Sequence, residues 1–571
     1  MRLSHLPPLL RDDPALGAVL GRRAGALAVP EPARAATLAG LAHLSSRTPL
    51  VVITPTSTGG RALADDLEQF MEPGEVAWFP AWETLPFERV SPATETMGRR
   101  LEVLWRLRTG TGCPRIIVAP VRAALQRLGP DAATVEPIVV RPADRLDPTD
   151  LVARLVHLGY RREELVEHRG EVALRGSILD VFPSTADAPV RIDCWGDEVD
   201  RLTEFSVADQ RSVNDLDEAT ILPAREVLPS DDVRARAGKL IGEQPWGREQ
   251  WERLAEGTFF DGMESWLPWL VGADELMTDV LPDDAQVVLI EPRRLRDRAT
   301  DLLAEEDDLA RTLARTWDAG DHGFPRLYLE SERLLASAGA AALHVLDVPD
   351  SPDTPALSAA RWGGVGADGG LLLRRLRELL DDKYRVVIAA DGVGSAAHLA
   401  GLLREQGLDV PVLADSADPA VLARPGARIV VAPLHAGAVF AEARLAVLAE
   451  SDLTGRRRSH RAPRPRNRQA AGVFDDLKPG DYVVHHQHGV GRYTGMVKRA
   501  IGGVERDYLL LEYRGGDKLY IPSDQIDAIR HYTGGESPTL HRLGGSDYAA
   551  AKARVRSAVR EVAQELVVLY Q

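Results

Sequence analysis

Short apolar strands recur between helix-length stretches through residues 20–125, and this alternation constrains the chain more than any bulk property. Pro49-Leu50-Val51-Val52-Ile53-Thr54 and residues 115–119 (RIIVA) are continuous runs rich in β-branched residues. Such strands are buried on both faces, as in a parallel sheet flanked by helices. In units of this kind the loop between strand and helix can cradle phosphate, through backbone N–H groups and the lysine of G-x-x-x-x-G-K-[ST]. Here the stretch before the first helix is Val29-Pro30-Glu31-Pro32-Ala33-Arg34, with no glycine, no lysine and two prolines that lack an N–H. The full motif occurs nowhere in the 571 residues. The pattern predicts a docking platform rather than a motor.

The length suggests about four domains. An apolar fraction of 44% with 27% charged residues is that of a globular chain. No apolar run reaches the roughly 18–20 residues a membrane span needs, and the N-terminus lacks a signal-type apolar stretch. Only two cysteines occur, Cys113 and Cys194, which excludes a disulfide scaffold and a four-cysteine zinc site. These features predict a cytoplasmic protein with no membrane partner. A net charge of −16 argues against broad non-specific DNA binding by the whole chain.

Residues 78–87 are rich in aromatics and proline and too irregular for one helix. Residues 145–225 change character: 171–182 and 190–205 read as strands, with turns at 183–188 and at Gly196-Asp197. In the second run Val190, Ile192 and Cys194 alternate with Arg191, Asp193 and Trp195, placing the two sets on opposite faces. Residues 226–345 return to helices and strands, including 286–290 and 342–346. The acidic run 305–308 is expected on a solvated helix face. A further α/β unit has helices at 371–380 and 395–405 and strands at 385–389, 428–432 and 444–448. Residues 456–470 (RRRSHRAPRPRNRQA) read as a flexible linker. Residues 474–532 carry dense β signals at 482–485, 508–513 and 518–521, which fit a small bent barrel of about five strands. Residues 546–570 read as a long helix.

Motifs with chemistry are few. Gly364-Val365-Gly366-Ala367-Asp368-Gly369 matches G-x-G-x-x-G, but residues 358–363 before it do not read as a strand, so a glycine-rich loop is expected. His485, His486 and His488 are the densest imidazole cluster. In a strand His485 points away from the other two, and no well-spaced further ligand follows, so no metal site is expected. No spacing of acids, histidines or nucleophiles implies catalysis.

Several segments together resemble the N-terminal half of the bacterial transcription-repair coupling factors (Mfd). They are Phe79-Pro80-Ala81-Trp82-Glu83-Thr84-Leu85-Pro86-Phe87, Met97-Gly98-Arg99-Arg100-Leu101, Gly159-Tyr160-Arg161 and Arg175-Gly176-Ser177-Ile178-Leu179-Asp180-Val181-Phe182-Pro183. Residues 190–200 (VRIDCWGDEVD), 206–212 (SVADQRS), His488-Gly489-Val490-Gly491-Arg492-Tyr493 and Lys518-Leu519-Tyr520-Ile521-Pro522 complete the set, in family order.

The resemblance implies an α/β multidomain chain. Residues 1–143 and 226–348 would be two halves of a degenerate RecA/helicase-like, UvrB-homology module, with a small β-rich UvrA-binding domain inserted at 144–225. Residues 355–455 would be an α/β connector domain, 456–473 a linker, and 474–540 a Tudor/CarD-like β-barrel that binds the RNA polymerase β subunit. Residues 545–571 would be a helix leading to translocase lobes outside this chain. The resemblance implies no catalytic residue and no cofactor here, with ATP and Mg expected only in those lobes, which would also make most of the DNA contact. UvrB probes damage with a tyrosine-rich hairpin; residues 79–100 here contain no tyrosine, so direct lesion recognition is not expected.

For site residues, the resemblance points to Arg175, Arg191 and Trp195 for UvrA. Arginine and tryptophan are also the side chains most enriched at interface hot spots. For the polymerase it points to an exposed strand edge with Lys498, Arg499 and Ile501, and to Leu509 and Leu511 on the neighbouring strand, where barrel core is an equal expectation. The other function class is a UvrB-type, ATP-dependent nucleic-acid enzyme with an atypical phosphate site.

Overall fold

The computed structural model describes residues 3–132, 134–316, 323–336, 342–362, 369–414, 418–454, 480–485, 488–501, 504–522, 529–531 and 539–542. The chain divides into two compact units, Met1–Phe259 with Met263–Arg458, and Phe260–Gly262 with Ser459–Gln571. The expected helix at 546–570 and the linker at 456–470 lie outside the described residues.

The first unit is built on a six-stranded, all-parallel sheet in the order Gly25–Ala28, Ala342–Leu346, Gln286–Ile290, Leu50–Thr54, Ile116–Pro120, Val76–Trp78. Its central strands are buried along their whole length, which is why their sequences are unbroken apolar runs. Leu50 and Val52 enter the core on one face, and Val51 and Ile53 the core on the other. Strands from before and after the inserted segment interleave, so the two flanking segments share one sheet.

The aromatic segment is a buried seam. Phe79, Trp82 and Phe87 are all buried. Arg100, on helix Thr94–Thr109, makes a two-pronged ion pair with Glu226 (Nε to Oε2 2.8 Å, Nη2 to Oε1 3.0 Å), and both side chains are fully buried. Trp82 Nε1 donates to the same carboxylate at 2.8 Å, Arg100 Nη1 donates to the Pro80 carbonyl, and the guanidinium lies 4.4 Å from the Phe79 ring centroid. Phe87 meets Trp269 and Phe324 edge-on. Glu226 follows directly on the inserted segment, so this network fixes its exit to the module. Losing one partner of such a buried pair costs about 3–5 kcal/mol.

The inserted segment enters and leaves through the antiparallel pair Ile138–Val140 and Ala219–Ile221. It forms a six-stranded sheet in the order Ser212–Asp215, Glu198–Phe205, Val190–Trp195, Ile178–Val181, Glu171–Arg175, Arg161–Arg162. Helix Pro148–His157, capped by Asp147 with proline in its first turn, buries Leu151, Val152 and Leu155 in this domain's core. The run 171–182 is two strands rather than one. Gly176, with φ +64, turns the chain between them.

A third sheet has the order Ala359–Arg361, Ala438–Phe440, Leu445–Ala449, Arg385–Ala390, Gly426–Val431, with helices Gly369–Asp381 and Val393–Glu405. Its two three-residue strands, Ala359–Arg361 at the edge and Ala438–Phe440 beside it, have no signal in the sequence. One of them, Ala359–Arg361, does precede the glycine-rich run, but it pairs antiparallel with Ala438–Phe440 and does not open a parallel crossover. Residues 363–368 lie outside the described residues. Val387, Ala389, Leu422 and Phe440 belong to the same hydrophobic cluster as Leu10, Leu38, Leu50 and Val52. Asp66 accepts from the backbone N–H of His435 at 2.9 Å and meets its Nδ1 at 2.7 Å.

The acidic run 305–308, expected on a solvated face, is not uniformly solvated. Glu306 is buried, and its carboxylate accepts the N–H groups of Leu327 (2.5 Å) and Tyr328 (3.2 Å). Asp307 pairs with Arg326, while Asp308 is exposed. Burial pushes the Glu306 carboxyl up to about 7, against the opposing effect of those two N–H groups.

The second unit contains an antiparallel five-stranded sheet in the order Lys518–Pro522, Val504–Glu512, Gly489–Ile501, Tyr482–His485, Ile529–His531. The register of its long strand shifts between Tyr493 and Gly495. Gly491 lies under the Tyr513 ring, where an added Cβ would sit 3.0 Å from Cζ, so this glycine of the His488–Tyr493 motif serves close packing.

Candidate docking faces

On strand Val190–Trp195, Val190, Ile192 and Cys194 are buried in the domain core, whereas Arg191, Asp193 and Trp195 take the other face. Register places Asp180 opposite Arg191, Ile178 opposite Asp193, and Ala173 opposite Asp180. Arg175 therefore shares this face. Half of the face is roofed by a small cluster of Val166, Ala173, Phe182 and Phe205. The other half is open, and Trp195 there is 85% exposed.

The three residues singled out for UvrA do not have equal access. Arg191 retains only 14% of its side-chain exposure. Its Nε and Nη2 donate to the two oxygens of Asp180 at 2.8 and 3.0 Å, Nη1 donates to the Gln210 carbonyl at 3.0 Å, and the guanidinium lies 4.6 Å from the Phe205 ring centroid. The Asp180 hydrogen bonds raise the Arg191 pKa and keep the group charged. Arg175 is 45% exposed and donates to Asp180 Oδ2 at 2.5 Å. Arg175, Arg191 and Trp195 are thus brought to one face, with Asp180, itself buried, joining the two arginines. Asp180 carries no signal in the sequence, because one aspartate within an apolar strand pattern does not reveal which cross-strand neighbours it meets.

In the second unit, Lys498, Arg499 and Ile501 occupy the outer part of strand Gly489–Ile501. That part pairs with Val504–Glu512 (Lys498↔Asp507, Arg499↔Arg506, Ile501↔Val504), whereas Tyr482–His485 pairs only with residues 489–492. Among the described residues its other backbone edge has no strand beside it. Met496, on the same stretch, is 55% exposed, an apolar contact group that the sequence pattern did not mark. Leu509 and Leu511 are core residues, 2% and 0% exposed, and do not form a surface. Their alternation serves packing with Val483, Tyr493 and Ile521, which are buried in the same sheet.

At the start of helix Arg34–Leu44, where a phosphate loop would sit, the chain supplies its own anions. Asp347 Oδ1 accepts the Glu31 N–H at 3.0 Å, and Arg34 Nη2 lies 2.5 Å from Glu291 Oε1 and 3.7 Å from Asp347 Oδ1. Both carboxylates follow the carboxyl ends of parallel strands, the usual ligand position in open α/β sheets. His485 and His488 stack with ring centroids 4.5 Å apart, and His486 lies outside the described residues. Among the described residues no group of three or more acidic, histidine or cysteine side chains is arranged to hold a metal ion, and no helix is long and apolar enough to cross a membrane.

Three family models match the chain. They are the UvrB interaction domain at residues 138–227, the MFD D3 domain at 380–453 and the CarD-like/TRCF RID domain at 477–533. Among curated relatives, a transcription-repair-coupling factor of Mycobacterium tuberculosis (strain CDC 1551 / Oshkosh) is 36% identical over 597 aligned residues, covering 96% of this chain and 48% of the relative. Namesakes from Myxococcus xanthus and Bacillus subtilis (strain 168) are 33% and 28% identical, each covering 94% of this chain and 48% of the relative. The chain spans about half the length of the curated relatives it matches. With three characteristic domains in order and similarity along nearly its whole length, the chain belongs to the transcription-repair-coupling factors and corresponds to their N-terminal part.

Proposed function

We propose that this chain is a two-ended adaptor that joins a stalled RNA polymerase to the excision-repair machinery in the cytoplasm. The inserted domain recruits UvrA through the open half-face around Trp195 and Arg175. The sheet of the second unit grips the RNA polymerase β subunit through the strand edge near Lys498, Arg499 and Ile501, by strand addition. Leu509 and Leu511 support that edge from the core. The observation that carries the reading is Trp195. A tryptophan left 85% exposed on a folded strand, on a face that also carries arginines, is a typical anchor for a protein partner.

This chain performs no ATP hydrolysis in the proposal. The helix start that would bind phosphate faces Asp347 and Glu291, whose charge repels another anion. ATP, Mg and most of the DNA contact belong to translocase lobes elsewhere in the full-length protein. The test is a binding assay with two variants. Trp195→Ala weakens UvrA capture about tenfold or more, as expected for a central anchor, and leaves binding to the β subunit unchanged. Arg499→Glu does the reverse. Loss of neither interaction overturns the reading, and saturable ATP binding to the purified chain favours the UvrB-type enzyme instead.

A further inference from the structure

Two of the arginines on the docking face, Arg175 and Arg191, are not independent, because one buried carboxylate holds both. Asp180 is 1% exposed and sits on strand Ile178–Val181, in register with Arg191 on one side and Ala173 on the other. Its Oδ1 accepts from Arg191 Nε, and its Oδ2 accepts from both Arg191 Nη2 and Arg175 Nη2. A carboxylate with a two-pronged partner and a second guanidinium fixes the direction of both side chains.

The fork of Arg191 faces inward. Its two nearest donors point at Asp180, a third at the Gln210 carbonyl, and its flat face rests on Phe205. Little of it remains for a partner. Arg175 is different: its one hydrogen bond to Asp180 leaves the rest of a half-exposed guanidinium turned outward, on the same face as Trp195.

We infer that Asp180 is the positioning residue of the docking face: it locks Arg191 as a strut and holds the half-exposed Arg175 on the face that also carries Trp195. This rests on the adaptor reading above. The groups offered to the partner are then Arg175 and Trp195, which suit a carboxylate next to an apolar surface. Arg191 acts through the face it braces.

Two measurements test this. In the first, purified UvrA is titrated onto the parent chain and onto Asp180→Asn, Arg175→Ala, their double variant and Trp195→Ala. Asp180→Asn keeps the shape but removes the charge; binding falls on the order of tenfold. In the Arg175→Ala background the further loss from Asp180→Asn is smaller, because part of it runs through Arg175. A purely structural role would lower the thermal midpoint without this coupling in binding. In the second, the parent chain is treated with phenylglyoxal, and modified arginines are mapped by mass spectrometry with and without UvrA. Arg175 reacts and is shielded by UvrA; Arg191 is unreactive in both.

If Asp180→Asn binds like the parent while Trp195→Ala does not, the clamp is overturned and the docking face stands. If Trp195→Ala also binds like the parent, the adaptor reading of this face fails. The clamp is then judged by the modification map, which overturns it if Arg191 reacts readily in the free chain. The same map decides if Asp180→Asn does not fold.

Discussion

One buried carboxyl within an acidic run is enough to tie the stability of a fold to pH, and Glu306 is such a group. Burial pushes it up to about 7, above the ordinary glutamate value near 4.5. In the folded chain it therefore holds its proton more tightly than in the unfolded chain. Its contribution to stability is full below about pH 4.5 and is lost as pH rises through 7. The shift corresponds to roughly 3 kcal/mol at most. Glu306→Gln keeps an acceptor for the Leu327 and Tyr328 N–H groups and removes the titration. The variant is expected to match the parent in thermal midpoint at pH 5 and to exceed it at pH 8. A parent midpoint with equal pH dependence in both proteins would refute the assignment. The sequence could not show this, because Glu306 sits between Glu305 and Asp307 in a run that composition marks as solvated.

Helix Thr94–Thr109 illustrates what a motif residue does for an element. Gly98 faces the inserted domain so closely that a Cβ would lie 2.4 Å from Ser184 Oγ and 2.6 Å from Ser184 Cβ. Alanine normally gains up to about 1 kcal/mol over glycine inside a helix. Here the clash dominates, with overpacking costing typically 1–3 kcal/mol. Gly98→Ala is expected to lower the thermal midpoint, and Ser184→Gly in the same chain to restore part of it; an unchanged midpoint in the single variant would contradict the contact. The period of two at 190–195 predicts the buried set correctly, and the runs at 286–290 and 342–346 match their strands residue for residue. The hairpin at Gly176 was hidden because apolar residues continue on both sides of the turn. The short strands Ala359–Arg361 and Ala438–Phe440 were hidden because three residues carry no period. At the docking face, Trp195 and the arginines are legible from alternation and residue type, but the inward fork of Arg191 depends on Asp180, Gln210 and Phe205, which only the fold brings together.

Across the first unit, the connector's sheet and the six-stranded sheet contribute to one hydrophobic cluster, tied further by Asp66 and His435. Residues 355–454 are thus a structural part of the first unit. Removing residues 355–454 exposes the apolar groups they cover, including the neighbours of Leu10 and Leu38 in that cluster. The shortened protein is expected to bind a hydrophobic dye and to melt at a lower temperature than the parent; equal melting would show the connector to be separable. Sheet order carries a last consequence, for biosynthesis. Gly25–Ala28 pairs with Ala342–Leu346, and Leu50–Thr54 with Gln286–Ile290. On the ribosome the earliest strand waits more than half the chain for its neighbour, while the inserted domain already has all of its own strands. The guest can therefore mature before its host, and a pause in translation ahead of residue 342 would leave a finished inserted sheet on an unfinished foundation.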